Sequence, residues 1–102
     1  MDCKINWTKV AWNTFEKNIL YLQKEWTEKE LSNFIKSVDN KISSLSKHPL
    51  IGTSKGHPDL NIRSVLVHKR ILLIYKFYPT EKKIDLLVFW NTAQNPRKLR
   101  LK

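Results

Sequence analysis

The sequence predicts an α+β protein in which two amphipathic helices form a hairpin on one face of a short antiparallel β-sheet. Three observations lead to this prediction: two successive stretches with helical spacing of apolar residues, three later runs with strand composition, and a length of 102 residues. A chain of this length buries one modest core but not two. We therefore assign residues 1–102 to a single domain with the element order β-α-α-β-β-β and a basic C-terminal tail.

The first two elements are a short strand and a helix. Residues 4–7 alternate polar and apolar side chains, which predicts a strand that ends before Thr8, a residue type favoured at helix N-termini. The apolar residues that follow recur at steps of three and four, and they are Trp12, Phe15, Ile19, Leu22 and Trp26. This spacing lines one face of a helix, which we predict over 9–26.

A second helix starts almost at once. Thr27 and Glu30 have the spacing of a capping box, and Pro49 ends the helix soon after Ser46. Its apolar residues again hold helical spacing, and they are Leu31, Phe34, Ile35, Val38, Ile42 and Leu45. Because the intervening loop is so short, the two helices are expected to fold back as an antiparallel hairpin. A coiled coil is the alternative, but about two and a half heptads is short for one.

The second half of the chain is rich in β-formers. Residues 47–61 contain both glycines and two of the four prolines, which indicates an irregular connection. Three strand-like runs follow at 62–67, 71–78 and 83–90. The gaps between them are of hairpin length, so we predict an antiparallel meander.

The last predicted strand is apolar on both faces. Strict alternation places one set of side chains on one face, namely Ile84, Leu86, Val88 and Trp90, and it places Leu87 and Phe89 on the other. A helical hairpin covers only one face of a sheet. Either the tail at 91–102 or a partner is therefore expected to cover the other face.

The formal charge of +10 is concentrated after the helices. Residues 1–46 carry +1, residues 47–90 carry +5, and residues 91–102 carry +4. This asymmetry points to an anionic partner, either nucleic acid or an acidic protein segment. A basic surface that serves only solubility is the alternative.

Cysteine usage and hydropathy indicate a cytoplasmic protein without membrane contact. Cys3 is the single cysteine and cannot form an internal disulfide, and no apolar run approaches the roughly 20 residues of a membrane span. The three histidines and the cysteine lack metal-ligand spacing. We therefore expect no metal and no cofactor.

Five segments together resemble one protein family. They are WTKVA at 7–11, KHPLIG at 47–52, NIR at 61–63, LLIY at 72–75 and LVFWNTAQNP at 87–96. In this order and spacing they resemble the RelE/ParE superfamily of toxins from type II bacterial toxin–antitoxin modules, which include plasmid-stabilisation modules. The resemblance implies a growth-inhibiting toxin that is neutralised when an acidic or amphipathic segment of a cognate antitoxin wraps around it.

The family has two mechanistic branches. RelE-like members resemble ribosome-dependent endoribonucleases that cut mRNA without a metal, whereas ParE-like members bind DNA gyrase and carry no catalytic set. Metal-free RNA cleavage needs a proton acceptor, a proton donor and positive charge on the phosphate. If the chain is RelE-like, the catalytic candidates are Arg63, His68 and Arg70. The alternative for Arg63 is an ion pair with an antitoxin carboxylate, and the alternative for His68 is an ordinary turn residue.

A wider set of residues is expected to contact the antitoxin or the target. This set comprises Arg63, Lys69, Tyr75, Phe89, Trp90, Gln94, Arg97 and Lys98. Trp90 either stacks on a nucleobase or packs in the core. Ala93 stands where many relatives have Arg, and both predicted helices are long for the ribonuclease branch. These two features favour the ParE-like branch, with the RelE-like ribonuclease as the alternative and a harmless nucleic-acid-binding module as a third hypothesis.

Overall fold

The structure, a computed structural model, describes residues 2–25, 27–54 and 61–92. Across these ranges the chain forms two helices and five strands. In chain order they are β1 (Lys4–Trp7), α1 (Lys9–Glu25), α2 (Glu28–Lys47), β2 (Thr53–Ser54), β3 (Ile62–His68), β4 (Ile71–Tyr78) and β5 (Lys83–Asn91). The predicted α+β class is confirmed.

Both helices begin at the predicted capping residues. The Thr8 hydroxyl accepts a hydrogen bond from the backbone N–H of Ala11 at 3.1 Å and donates to the carbonyl of Leu86 at 2.6 Å. The cap therefore also ties the start of α1 to β5. At α2 the Thr27 hydroxyl accepts from the backbone N–H of Glu30 at 3.2 Å, which is the first half of the predicted capping box.

The sheet is mixed and five-stranded, with the spatial order β1-β5-β4-β3-β2. β1 runs parallel to β5, whereas the other neighbours are antiparallel. The prediction of a purely antiparallel sheet was wrong in this respect, and it missed β2 inside the connection predicted to be irregular. Alternation of side chains indicates a strand but not its neighbour, and two residues are too few to show any alternation.

Both helices lie on one face of the sheet, as predicted. α1 packs mainly against β5 and α2 mainly against β3. Phe15 of α1 contacts both the other helix and the sheet, because its ring centroid lies 6.1 Å from that of Phe34 in α2 and 5.3 Å from that of Phe89 in β5. Within the described ranges, neither helix combines the length and the apolar character needed to cross a membrane.

β5 contains a bulge, so the predicted assignment of its side chains to the two faces of the sheet was wrong. Tyr75 pairs with Leu86 while its neighbour Ile74 pairs with Val88, so Leu87 is an extra residue in β5. An extra residue reverses the alternation beyond it. Ile84 and Leu86 therefore share the helix-covered face with Phe89 and Asn91, whereas Val88 and Trp90 lie on the opposite face.

Candidate functional site

The face of the sheet opposite the helices, which we call the outer face, changes character along its length. At the β3–β4 turn, cross-strand pairing aligns Leu66, Leu72 and Trp90 in an apolar row. At the other end, pairing aligns Lys4, Lys83 and Tyr78 in a charged row. The second apolar face predicted from the sequence is thus present from the β3–β4 turn to the centre of the sheet, where Ile74 pairs with Val88, and it is absent at the charged end.

The centre of the outer face offers little surface to a partner. Ile74 is fully buried, and Ile62 and Ser64 beside it are nearly so. Leu66, in contrast, keeps more than half of its side-chain surface exposed. Of the tail at 91–102 that was considered as a cover for this face, residues 93–102 lie outside the described residues.

Two of the predicted contact residues, Lys69 and Trp90, and the catalytic candidate Arg70 lie at the end of the sheet formed by the β3–β4 turn. Lys69 and Arg70 are exposed within the turn. The carbonyl of Arg70 accepts hydrogen bonds from the backbone N–H and the hydroxyl of Thr92, at 2.7 and 2.9 Å. This clamp holds the end of β5 against the turn, and Trp90 pairs with Leu72 of β4, two residues after Arg70. We call Lys69, Arg70 and Trp90 the basic turn.

A buried polar network fixes the same end of β5 from the helix side. The Asn18 amide nitrogen donates to the carbonyl of Phe89 at 3.1 Å, and the Asn91 amide nitrogen donates to the Asn18 side-chain oxygen at 2.9 Å. The Thr14 hydroxyl accepts from the backbone N–H of Phe89 at 2.9 Å. Sequence reasoning missed Thr14 and Asn18, although a polar Asn18 between two apolar positions of the α1 stripe was a usable signal.

His68 lies on the helix-covered side of the sheet rather than in an open site. Its ring meets Phe34 edge to face, with centroids 6.0 Å apart. Burial lowers the pKa of His68 below its ordinary value of 6.5, the nearby charge of Lys69 lowers it further, and Glu30 partly opposes both. The imidazole is therefore neutral at pH 7 and is a poor donor of a proton.

This lowered pKa gives the first testable prediction, a loss of stability on mild acidification. Below pH 6.5 the unfolded chain binds a proton at His68 more readily than the folded chain, so the free energy of unfolding should decrease as the pH falls through that region. The variant His68→Gln should lack this part of the pH dependence of the free energy of unfolding. Urea titrations of both proteins at several pH values measure it, and identical pH profiles would contradict it.

Arg63 is separated from His68 and from the basic turn. The two side chains share β3, but five residue steps at about 3.3 Å each place them roughly 16 Å apart. The Arg63 Nη1 donates to the carbonyl of Gly52 at 2.8 Å, which ties it to the loop after α2. Its Nε is buried and has no hydrogen-bond partner in the described part of the chain. The structure does not bring the predicted set of Arg63, His68 and Arg70 together.

Tyr75 also anchors this loop and lies in the core. Its hydroxyl donates to the carbonyl of Pro49 at 2.7 Å and accepts from the backbone N–H of Gly52 at 3.0 Å. Burial raises the pKa of Tyr75, while the Gly52 hydrogen bond and the charge of Arg63 act in the opposite direction. Tyr75 and Phe89 were both predicted to contact a partner, but their side chains are almost fully buried and offer no surface for this.

Gly52 should tolerate no larger residue, which is the second prediction. A Cβ atom at this position would lie 2.6 Å from the Tyr75 hydroxyl and 2.9 Å from the carbonyl oxygen of Ser64. Neither neighbour is free to move, so Gly52→Ala should lower the free energy of unfolding by about 1–3 kcal/mol. Urea denaturation measures the change. Thr53→Ala, at an exposed position on β2, is the control, and equal stability of the two variants would refute the prediction.

A second cationic group occupies the charged end of the outer face. The ammonium groups of Lys76 and Lys83 lie 5.0 and 4.6 Å from the ring centroid of Tyr78. Asp85 accepts a hydrogen bond from the Asn6 amide at 3.0 Å and lies 4.0 Å from the Lys83 ammonium. Sequence reasoning did not single out this group, although the alternation along β4 and β5 contained it.

The remaining predicted contact residues, Gln94, Arg97 and Lys98, lie outside the described residues, as does Ala93. Among the residues that are described, no group of three or more His, Cys, Asp or Glu side chains is arranged to hold a metal ion. The cations and aromatic rings of the site suit the binding of an anion or of an acidic protein surface.

Two solved structures share this architecture. The RelBE2 toxin–antitoxin complex from Mycobacterium tuberculosis matches with a TM-score of 0.62 and 15% identity, over 89% of this chain and 99% of the other. A YoeB/ParE toxin from Agrobacterium tumefaciens matches with a TM-score of 0.62 and 12% identity, over 86% and 96%. The sequence matches no protein-family model and no curated protein. The chain has the fold of RelE/ParE superfamily toxins, which confirms the resemblance at the level of fold.

Proposed function

We propose that this protein is the toxin of a type II toxin–antitoxin module, is neutralised by a cognate antitoxin, and arrests bacterial growth in the cytoplasm by binding DNA gyrase. The fold likeness, which spans nearly the whole of both chains, carries the first part of the proposal. One of the two similar structures is a toxin in complex with an antitoxin. The net charge of +10 supports an acidic partner.

The separation of the candidate catalytic residues supports gyrase binding over RNA cleavage. General acid–base catalysis needs its groups within hydrogen-bond reach of one substrate, about 3 Å. Arg63 is held by the loop after α2, and His68 packs against Phe34. The helices of 17 and 20 residues also agree with the long hairpin expected of the ParE-like branch.

The basic turn is the surface we assign to the target. Lys69 and Arg70 are exposed, and the Thr92 clamp fixes the backbone beneath them. Exposed cations at the same end of the sheet as the partly exposed Trp90 are residue types that often anchor protein interfaces. Phosphate on nucleic acid is not required for such a contact, because carboxylates on a protein surface suit Arg equally well.

Induction of the protein without an antitoxin tests the mechanism. The proposal expects filamentous cells and DNA damage signalling while protein synthesis initially continues. Supercoiling assays with purified gyrase should show inhibition that depends on the dose of the protein. An immediate halt of translation, with gyrase unaffected, would overturn gyrase as the target.

Charge reversal tests the role of the basic turn. The double variant Lys69→Glu with Arg70→Glu should weaken gyrase inhibition at least about tenfold, since truncated or reversed hot-spot cations typically cost more than 1 kcal/mol. Lys36→Glu, at an exposed position on α2, serves as the control for a charge change of the same sign. Equal inhibition by the two proteins would remove the basic turn from the target interface.

The alternative function is a RelE-like, ribosome-dependent mRNA endoribonuclease. The observation that favours it is that Trp90 and the exposed Lys69 and Arg70 belong to the same end of the sheet. An aromatic ring beside two cations can stack on a base while the cations hold the phosphate. Mapping of mRNA 5′ ends after induction would then reveal new cuts within translated codons. Arg70→Ala should abolish these cuts, and Arg63→Ala should do so only if Arg63 reaches the phosphate.

A further inference from the structure

A shallow apolar pocket follows α2, at a distance from the basic turn. It has a volume of about 480 Å³ and is lined by Lys47, His48, Pro49, Leu50, Ile51 and Phe77. We call it the loop pocket. Leu50 and Ile51 are exposed by 56% and 50%, and they are the only sequence neighbours among the large exposed apolar residues in the described part. Contiguous exposed apolar surface of this kind marks interaction sites.

The loop that forms the pocket is held rigidly. The Tyr75 hydroxyl is hydrogen-bonded to the backbone of Pro49 and Gly52, and the Arg63 guanidinium donates a hydrogen bond to the Gly52 carbonyl. Within the loop, the backbone N–H of Ile51 donates to the carbonyl of His48 at 3.2 Å. The exposure of Leu50 and Ile51 is therefore imposed by the fold. A preformed surface binds with a smaller loss of conformational entropy than a flexible one.

The charged groups that line the loop pocket indicate which kind of partner fits it. Lys47 and His48 border the apolar floor, and the lining contains no Asp or Glu. Pairing with a second copy of this chain would bring like charges together, because a two-fold interface places the same patch on both sides. Nucleic acid is also a poor match, because bases stack on aromatic rings whereas this floor is mainly aliphatic. The partner that fits the loop pocket is therefore a protein segment with a large apolar side chain and flanking carboxylates.

We infer that the loop pocket is a docking site for the antitoxin, which inserts an apolar side chain between Leu50, Ile51 and Phe77 and places acidic residues against Lys47. This inference rests on the proposed function and adds a contact surface to it. The buried centre of the outer face supports the inference, because an antitoxin finds little apolar surface there. The pocket and the basic turn lie at separate places in the fold, so the antitoxin contact is separable from toxicity.

Binding measurements with matched variants test the inference. The probe is the purified product of the reading frame that abuts or overlaps this one, and the inference expects that product to be short and acidic. Leu50→Glu and Ile51→Glu should each weaken its affinity for the toxin at least tenfold, because a carboxylate replaces the apolar contact and repels the acidic segment. Leu20→Glu, at a position on α1 that is 62% exposed, is the matched control and should change the affinity less than twofold.

Growth assays separate the inference from the proposed function. In cells that co-express the probe, the Leu50→Glu and Ile51→Glu proteins should still arrest growth, whereas the wild-type and Leu20→Glu proteins should be neutralised. If the probe binds and neutralises all four proteins equally, the docking site is wrong and the toxin assignment stands. If the wild-type protein neither arrests growth nor binds the probe, the proposed function fails and the docking site fails with it.

Discussion

Replacement of Phe34 by Ala should lower the free energy of unfolding by about 3–5 kcal/mol, the usual cost of removing a buried aromatic ring. Phe34 is fully buried and contacts both Phe15 of α1 and His68 of β3. Its removal leaves a cavity where the two helices and the sheet meet. Against a total stability of about 5–15 kcal/mol for a domain of this size, the loss is severe. Urea denaturation followed by circular dichroism measures it.

Two further measurements make this prediction specific. Ile35→Ala, at the neighbouring exposed position of α2, should change stability far less, because its side chain already contacts water. In folded Phe34→Ala, the pKa of His68 should rise towards its ordinary value, because the ring that contributes to its burial is gone. NMR titration of the imidazole measures this shift. A stability loss for Phe34→Ala no larger than that for Ile35→Ala would contradict the assigned packing.

The second large effect is expected for Asn18→Leu, which should lower the free energy of unfolding by about 2–4 kcal/mol. The change removes one acceptor of the buried Asn91 amide and one donor to the carbonyl of Phe89. Each buried polar group that loses its partner costs about 1–3 kcal/mol. Thermal or urea denaturation measures the loss. Asn13→Leu, at an exposed position five residues earlier on α1, is the control.

A double-mutant cycle shows whether Asn18 and Asn91 act as a pair. The cost of Asn18→Leu combined with Asn91→Leu should be less than the sum of the two single costs, because the second change removes a group that the first left without its partner. Additive costs would mean that the 2.9 Å hydrogen bond between the two side chains contributes nothing.

The helices could be predicted closely from the sequence because their signals are local. Steps of three and four between apolar residues define α1 and α2, and the two threonine caps fix where they begin. The bulge at Leu87 has no such signal. It arises from pairing with Tyr75 and Ile74 of β4, which lie 12 and 13 residues earlier in the chain, so strict alternation assigned Val88, Phe89 and Trp90 to the wrong faces.

The candidate site was predictable in residue type but not in arrangement. Lys69, Arg70 and Trp90 were selected for charge and aromatic character, and the Thr92 clamp brings them to one end of the sheet. Tyr75 is also an aromatic residue and was selected as a contact residue for that reason. Its side chain is buried in the core, however, and its hydroxyl donates a hydrogen bond to the loop after α2. Burial depends on which elements stack above a strand, and no short stretch of sequence specifies that.

The parallel pairing of β1 with β5 determines when, during synthesis of the chain, the β-sheet can be completed. Lys4 pairs with Lys83, and Trp7 pairs with Leu86, so the first strand has no place in the sheet until the last strand has left the ribosome. Pairings between such distant residues also slow folding, because a long loop must close before they form. Addition of β1 to the edge of the sheet is therefore expected to be a late step in folding.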